Sequence, residues 1–335
     1  MEWWDNVWRT KAKASIYEGI RTSGGNGQPE VRDLVPQKDY LSISIEAMWI
    51  VDVGKLWNRF YGVAHSHCTV DNLSGKPVDI AVVAAPDKLK NVDPKHLDRE
   101  IVGPTSLVRK IPYVGGAVLL EVGLVSVKGD DLAAPYIRLL ESLTKVAGVS
   151  ALSPLATYAG PIKDGFAGLL GAGNAAELEI GTSRQIDPPK SGYYLMMRAS
   201  RDEIDPAKLT YDLDTSRLVD GQGRPVERFP YLVLKVTASQ EKDDYYNIPE
   251  LGAGYSNLVA AARKGDSRRV KEELASFVRM ATYSMDLLPD DGKRLAESVK
   301  AQFERAAASG LVSKVRGPAA AYPSLQEVGL FSARG

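Results

Sequence analysis

One cysteine, three histidines and no net charge leave this 335-residue chain with little of the usual chemical vocabulary. A single thiol cannot form an internal disulfide, so the fold needs no oxidising compartment. Lysine plus arginine and aspartate plus glutamate number 42 each, which removes any global pull toward nucleic acid or an anionic membrane. No uninterrupted apolar run reaches the roughly 18 residues of a membrane-spanning helix. The opening MEWWDNVWRTKAKAS puts an acid ahead of its apolar residues and has no continuous apolar core, unlike a secretory signal. The phosphate-cradling pattern G-x-x-x-x-G-K-[ST] is also missing. Apolar residues at 44% and charged residues at 25% are ordinary for a globular chain, and the expectation is a soluble cytoplasmic protein.

What is present is mostly periodicity. Residues 2–20 are expected to form an N-terminal helix, with Trp3, Trp4, Val7 and Trp8 crowding its first turns ahead of Arg9, Lys11 and Lys13. Tryptophan beside basic residues can mark a helix lying on a membrane, so residues 1–20 are a candidate membrane contact. The apolar stripe is short, which favours docking on the protein body. The glycine-rich TSGGNGQPE that follows predicts a loop.

From Asp39 the period becomes two. Leu41, Ile43 and Ile45 alternate with Ser42, Ser44 and Glu46, and further strands are expected at Tyr61–Asp71, Val78–Ala85 and Ala117–Val127. Pro86 to Pro112 reads as charged and irregular, with a short helix around PKHLDRE. Asp130 or Asp131 caps a helix striped by Leu132, Tyr136, Leu139, Leu140, Leu143 and Val146 and closed by Gly148. Val149 to Gly173 is the least charged stretch and is broken by Pro154 and Pro161. It predicts a buried helical excursion from the sheet.

Strands resume with AELEIGTSRQI, GYYLMMRAS, KLTYDLD and YLVLKVTAS, and RLVDGQGRPV predicts a tight hairpin. After residue 245 the period turns helical. One helix spans Leu251–Ala262, a second runs from about Asp266 to Leu288, and a third is striped by Leu295, Val299 and Phe303 and ends at Gly310. The expected fold class is α+β: a mostly antiparallel sheet or sandwich over residues 39–240, with a helical insertion at about 130–175. A helical subdomain at 245–310 and a flexible tail at 311–335 follow.

Chemistry concentrates in YGVAHSHCTVD. Strand parity points His65 and His67 to one face, where they could share a divalent metal ion, with Asp71 or His96 as further ligands. Parity turns Cys68 the other way, beside Ala64, Ser66 and Val70, which argues against a Cys–His dyad and for a buried thiol. The remaining motifs fail on context. GAGNAA fits a dinucleotide fingerprint formally but lacks a preceding strand and a following helix. DLDTSRLVDGQG opens like a calcium loop, yet Arg217 takes the place that needs glycine and Gly223 that of the bidentate glutamate. RKGDSRRVK, with Glu272 and Glu273 following, reads as a solvated helix corner, so there is no strong nucleic-acid signal. YDLD and EKDDYY could gather carboxylates across neighbouring strands.

These residues point to a non-enzymatic interaction or regulatory protein acting through protein partners or self-association, with no catalytic residue and no cofactor assigned. One alternative is a metal-dependent enzyme centred on His65 and His67. Another is a conditionally membrane-active protein that releases the apolar segment 149–173 from its core.

Overall fold

The computed structural model describes residues 16–25, 30–51, 60–71, 73, 75, 77–84, 100–128, 176–187 and 189–308. Among them are eleven strands: β1 (Ile16–Ser23), β2 (Tyr40–Trp49), β3 (Phe60–Asp71), β4 (Pro77–Ala84), β5 (Glu100–Pro112), β6 (Val118–Lys128), β7 (Ala176–Ile186), β8 (Gly192–Met197), β9 (Thr210–Asp212), β10 (Arg217–Val219) and β11 (Tyr231–Ser239). Three helices follow: α1 (Pro249–Arg263), α2 (Ser267–Thr282) and α3 (Pro289–Ala308). The protein is a mixed α+β chain with two sheets and a C-terminal helical region. No helix among the described residues is long and apolar enough to cross a membrane.

The strands form a seven-stranded sheet in the order β10-β9-β1-β8-β11-β2-β5 and a four-stranded sheet in the order β4-β3-β6-β7. Pairing is antiparallel except where the end of β1 runs parallel to β9. The inward residues of both sheets feed one apolar cluster. Leu41, Ile43, Ile45, Leu232 and Leu234 come from the larger sheet, and Ala64, Cys68, Val70, Leu120, Val122 and Leu124 from the smaller. A second cluster lies on the larger sheet around Trp49, Tyr193, Tyr211 and Tyr231. A third belongs to the helical region alone, with Tyr245, Leu258, Phe277, Val299 and Phe303 at its centre.

Most alternating stretches fold as their period dictates. β2, with its Leu41-Ile43-Ile45 face buried, is one example. The exceptions have local causes. The segment before Pro112 is ordered as the 13-residue strand β5, not an irregular stretch. Three register shifts against β2 break its alternation, and it also contains Pro104. A strand that carries proline and bulges suits the edge of a sheet, which is where β5 lies. Ile16 to Ile20 belong to β1 rather than to a helix, because their backbone pairs with β8. The rest of that expected helix, the helical insertion from 130 to 175 and the tail from 311 lie outside the described residues.

The helices start and stop where their end residues demand. Pro249 and Pro289 take first-turn positions, where a missing N–H costs nothing. The Asp266 carboxylate caps α2 by accepting the Arg269 amide at 3.0 Å. Gly265, at φ 71°, turns the chain between α1 and α2. The α2 helix ends at Thr282, six residues before the expected Leu288, and Tyr283–Leu288 form the turn into α3.

Candidate functional site

β3 runs unbroken through the His-x-His stretch, so positions 65 and 67 keep the same parity. Ala64, Ser66, Cys68 and Val70 are buried on the opposite parity, and the Cys68 thiol is part of the apolar core. His67 is also buried, at 6% exposure. Its cross-strand neighbour on β6 is Glu121, and Nδ1 lies 3.1 Å from the Glu121 Oε2. With Glu121 as a carboxylate, Nδ1 carries the proton and donates it. A carboxylate on one ring nitrogen fixes the tautomer and the ring plane, as it does behind metal-bound histidines.

The side chain of His65 and all of His96 lie outside the described residues, and Asp71 is exposed at the end of β3. Among the described residues, no group of three or more His, Cys, Asp and Glu side chains converges in a way that could hold a metal ion. The GAGNAA stretch lies outside the described residues apart from Ala176, which opens β7.

The two carboxylate-rich stretches remain apart. Asp212 and Asp214 serve the turns around them. The Asp212 carboxylate accepts the Asp214 amide and the Thr215 hydroxyl, and the Asp214 carboxylate accepts the Gly25 amide. Gly24, at φ 71°, sits so close to Asp214 that a Cβ there would lie 2.2 Å from its Oδ2. These carboxylates finish a turn rather than await calcium. The basic corner between α1 and α2 is partly neutralised along the helix, where Arg268 pairs with Glu272 and Arg269 with Glu273.

The acids of EKDDYY instead face β5, in a polar cluster that sequence reasoning missed. A bulge at Arg109–Lys110, with Lys110 at φ 43°, supplies the sheet side. The Lys110 ammonium pairs with Asp243, and the Arg109 Nε lies 3.5 Å from Asp244. Lys242 is buried and reaches back, donating from Nζ to the Lys110 carbonyl at 3.0 Å and lying 3.4 Å from Asp244. Its Nζ also sits 5.9 Å from the centre of the Tyr40 ring. Burial holds its ammonium below the ordinary lysine value, against the opposing pull of Asp244 and Asp286.

Tyr40 joins this cluster to α3. Its hydroxyl donates to Asp291 at 2.8 Å and accepts the Leu288 amide at 2.8 Å. Asp291 also accepts the Lys242 amide at 3.0 Å and pairs with Arg294, which in turn meets Glu241 at 2.7 Å. Asp291 lies in the first turn of α3, where the exposed amides and the helix dipole favour a carboxylate. Every group named here engages another within the cluster, so the arrangement fastens the helical region to the sheet. Only an alignment able to couple residue 40 with residue 291 could have signalled it in the sequence.

A second ion pair, with its carboxylate buried, ties the sheets together. Glu179 sits at a register shift of β7 against β6, is 1% exposed, and lies 3.4 Å from Arg198 at the end of β8. Compared with known proteins, the chain matches no family model, no curated protein and no solved structure.

Proposed function

We propose that this chain is a non-enzymatic interaction or regulatory protein that contacts a protein partner, or a second copy of itself, through its helical region. One observation carries the reading: Tyr283 and Met285, in the turn between α2 and α3, are 78% and 51% exposed. Aromatic and methionine side chains are enriched where proteins meet, and a rigid helical frame presents them at low entropic cost. The internal pairing of the charged clusters adds support, because few of those groups are left to act on a substrate. The same reading takes the two sheets as layers of a sandwich, supported by the apolar cluster they share, with residues 130–175 as its helical insertion.

The test is a capture experiment from native lysate with wild type and Tyr283→Ser/Met285→Ser, alongside sedimentation of both. A stoichiometric partner, or a self-associated species, that disappears in the variant supports the reading. A wild-type chain that captures nothing and sediments as a monomer at all concentrations overturns it.

A second reading, a metal site on β3, is favoured by the Glu121 carboxylate at the His67 Nδ1. Metal analysis of the purified protein decides it. Bound metal lost in His67→Ala and in His65→Ala supports a site, and metal-free protein removes it.

A further inference from the structure

The helical region has an apolar core of its own. The cluster around Tyr245, Tyr255, Phe277 and Phe303 draws only on residues 245–303, and the two sheet clusters draw only on residues before 240. The buried apolar side chains at the junction, Tyr40 and Leu288, belong to none of the three clusters. What joins the parts is polar: Tyr40 with Asp291 and Leu288, Lys242 with Lys110 and Asp244, Lys110 with Asp243, and Arg294 with Glu241.

We infer that the helical region is a separately cooperative unit, latched on the sheet by Tyr40, Asp291 and Lys242, and that it swings away from the sheet while both parts stay folded. The hinge is the short segment Glu241–Asp244 that links β11 to the helices. Undocking breaks hydrogen bonds that water can replace and uncovers the Tyr40 ring and Leu288 but neither apolar core, so it costs less than unfolding either core. Contacts of this kind resemble the polar interfaces between domains of one chain, across which relative motion is the default. The latch is thus a conformational device: a partner that favours the open form need only outcompete these few polar contacts. This inference concerns the junction and does not depend on what Tyr283 and Met285 bind.

Hydrogen exchange on the full-length protein in rising sub-denaturing urea tests it. The Leu288 and Lys242 amides, which donate across the junction, report opening, while the Phe277 and Leu234 amides report the helical and sheet cores. Expected is exchange at Leu288 and Lys242 at least tenfold faster than at Phe277 and Leu234, with a shallower dependence on urea because neither apolar core is exposed. Arg294→Ala, which removes the Asp291 and Glu241 pairs without touching either reporter bond, should speed Leu288 a further several-fold and leave Phe277 and Leu234 unchanged. Four amides exchanging at one rate, with one steep urea dependence, in wild type would overturn the inference. So would an Arg294→Ala effect equal at all four.

Discussion

The Tyr40 hydroxyl and the Asp291 carboxylate, 251 residues apart in sequence, meet at 2.8 Å where the second strand touches the start of the last helix. The same hydroxyl accepts the Leu288 amide, so one phenol closes two bonds that nothing else at the junction replaces. Both groups are buried. Removing the oxygen therefore strands a donor and weakens the hold on a carboxylate. Tyr40→Phe is expected to lower stability by about 1–3 kcal/mol, read from the urea midpoint. An unchanged midpoint would mean that water fills the gap at no cost.

Lys242 gives the junction a dependence on alkaline pH. Burial depresses its pKa in the folded chain. A base of this kind destabilises the native state while both states are protonated. The cost lifts as pH rises from the folded value toward the unfolded one, because the unfolded chain then binds more protons. Relative to Lys242→Met, wild type should gain stability as pH rises toward about 10.4, the ordinary lysine value. At neutral pH the substitution itself should cost roughly 1–3 kcal/mol, since it leaves the buried Asp244 carboxylate and the Lys110 carbonyl without the ammonium. Thermal unfolding of both proteins across alkaline pH measures the difference, and a flat difference would remove Lys242 as its source.

Asp39 works in the opposite direction. Burial alone would raise its carboxyl, but Arg32 and the Val35 amide hold it below the usual carboxylate range. The Arg32 fork meets both oxygens, at 2.6 and 2.8 Å, and Val35 donates at 2.7 Å. An acid with a depressed folded pKa adds stability above its unfolded pKa and loses it as pH falls through the folded value. Asp39→Asn should cost roughly 2–3 kcal/mol at neutral pH. Acid titration of both proteins should then show their stabilities converging at low pH. Parallel curves would contradict this role.

Glycines in the helical region separate two kinds of crowding. A Cβ on Gly292 would lie 2.5 Å from the Ala281 carbonyl oxygen, and one on Gly252 would lie 2.5 Å from that of Tyr246. Backbone cannot step aside, so each glycine lets two segments touch. At Gly254 the nearest obstacle is the Met280 methyl at 2.3 Å, the far end of a flexible side chain. Alanine in a helix interior gains about 1 kcal/mol over glycine. Gly254→Ala should therefore come out near neutral, while Gly252→Ala and Gly292→Ala should each lose roughly 1–3 kcal/mol by overpacking. Equal midpoints for the three variants would rule out the distinction.

The fold was legible where one period ruled one element. β2, β6, β11 and the stripe on α3 follow directly from alternating or helical spacing. β5 was not legible, because extra residues at Gly103-Pro104, at Leu107 and at Arg109-Lys110 shift the pattern from one face to the other. Parity correctly separated Cys68 from His67, because β3 carries no bulge along that stretch. The burial of His67 was not legible, since it depends on what lies over that face. The Tyr40–Asp291 junction could not be read at all: neither residue sits in a motif, and the strand start and helix start that meet there are separate local events. YDLD and EKDDYY, which could have gathered their carboxylates, stay apart because β1 and β8 lie between β9 and β11, the strand that leads into EKDDYY.

The strand order of the larger sheet also constrains how the chain is made. β1 and β2 emerge first, yet β8 and β11 lie between them. Synthesis must pass residue 239 before these two can be joined. The smaller sheet is complete once residue 186 has appeared. On the ribosome, then, β2 can pair with β5 and the four-stranded sheet can close while β1 and the other edge of β2 still wait for β8 and β11. Unpaired strand edges held open for that long invite pairing with other chains. A gene fragment ending before β11 should therefore yield aggregated material, and chaperone demand should fall on the N-terminal strands during the second half of translation.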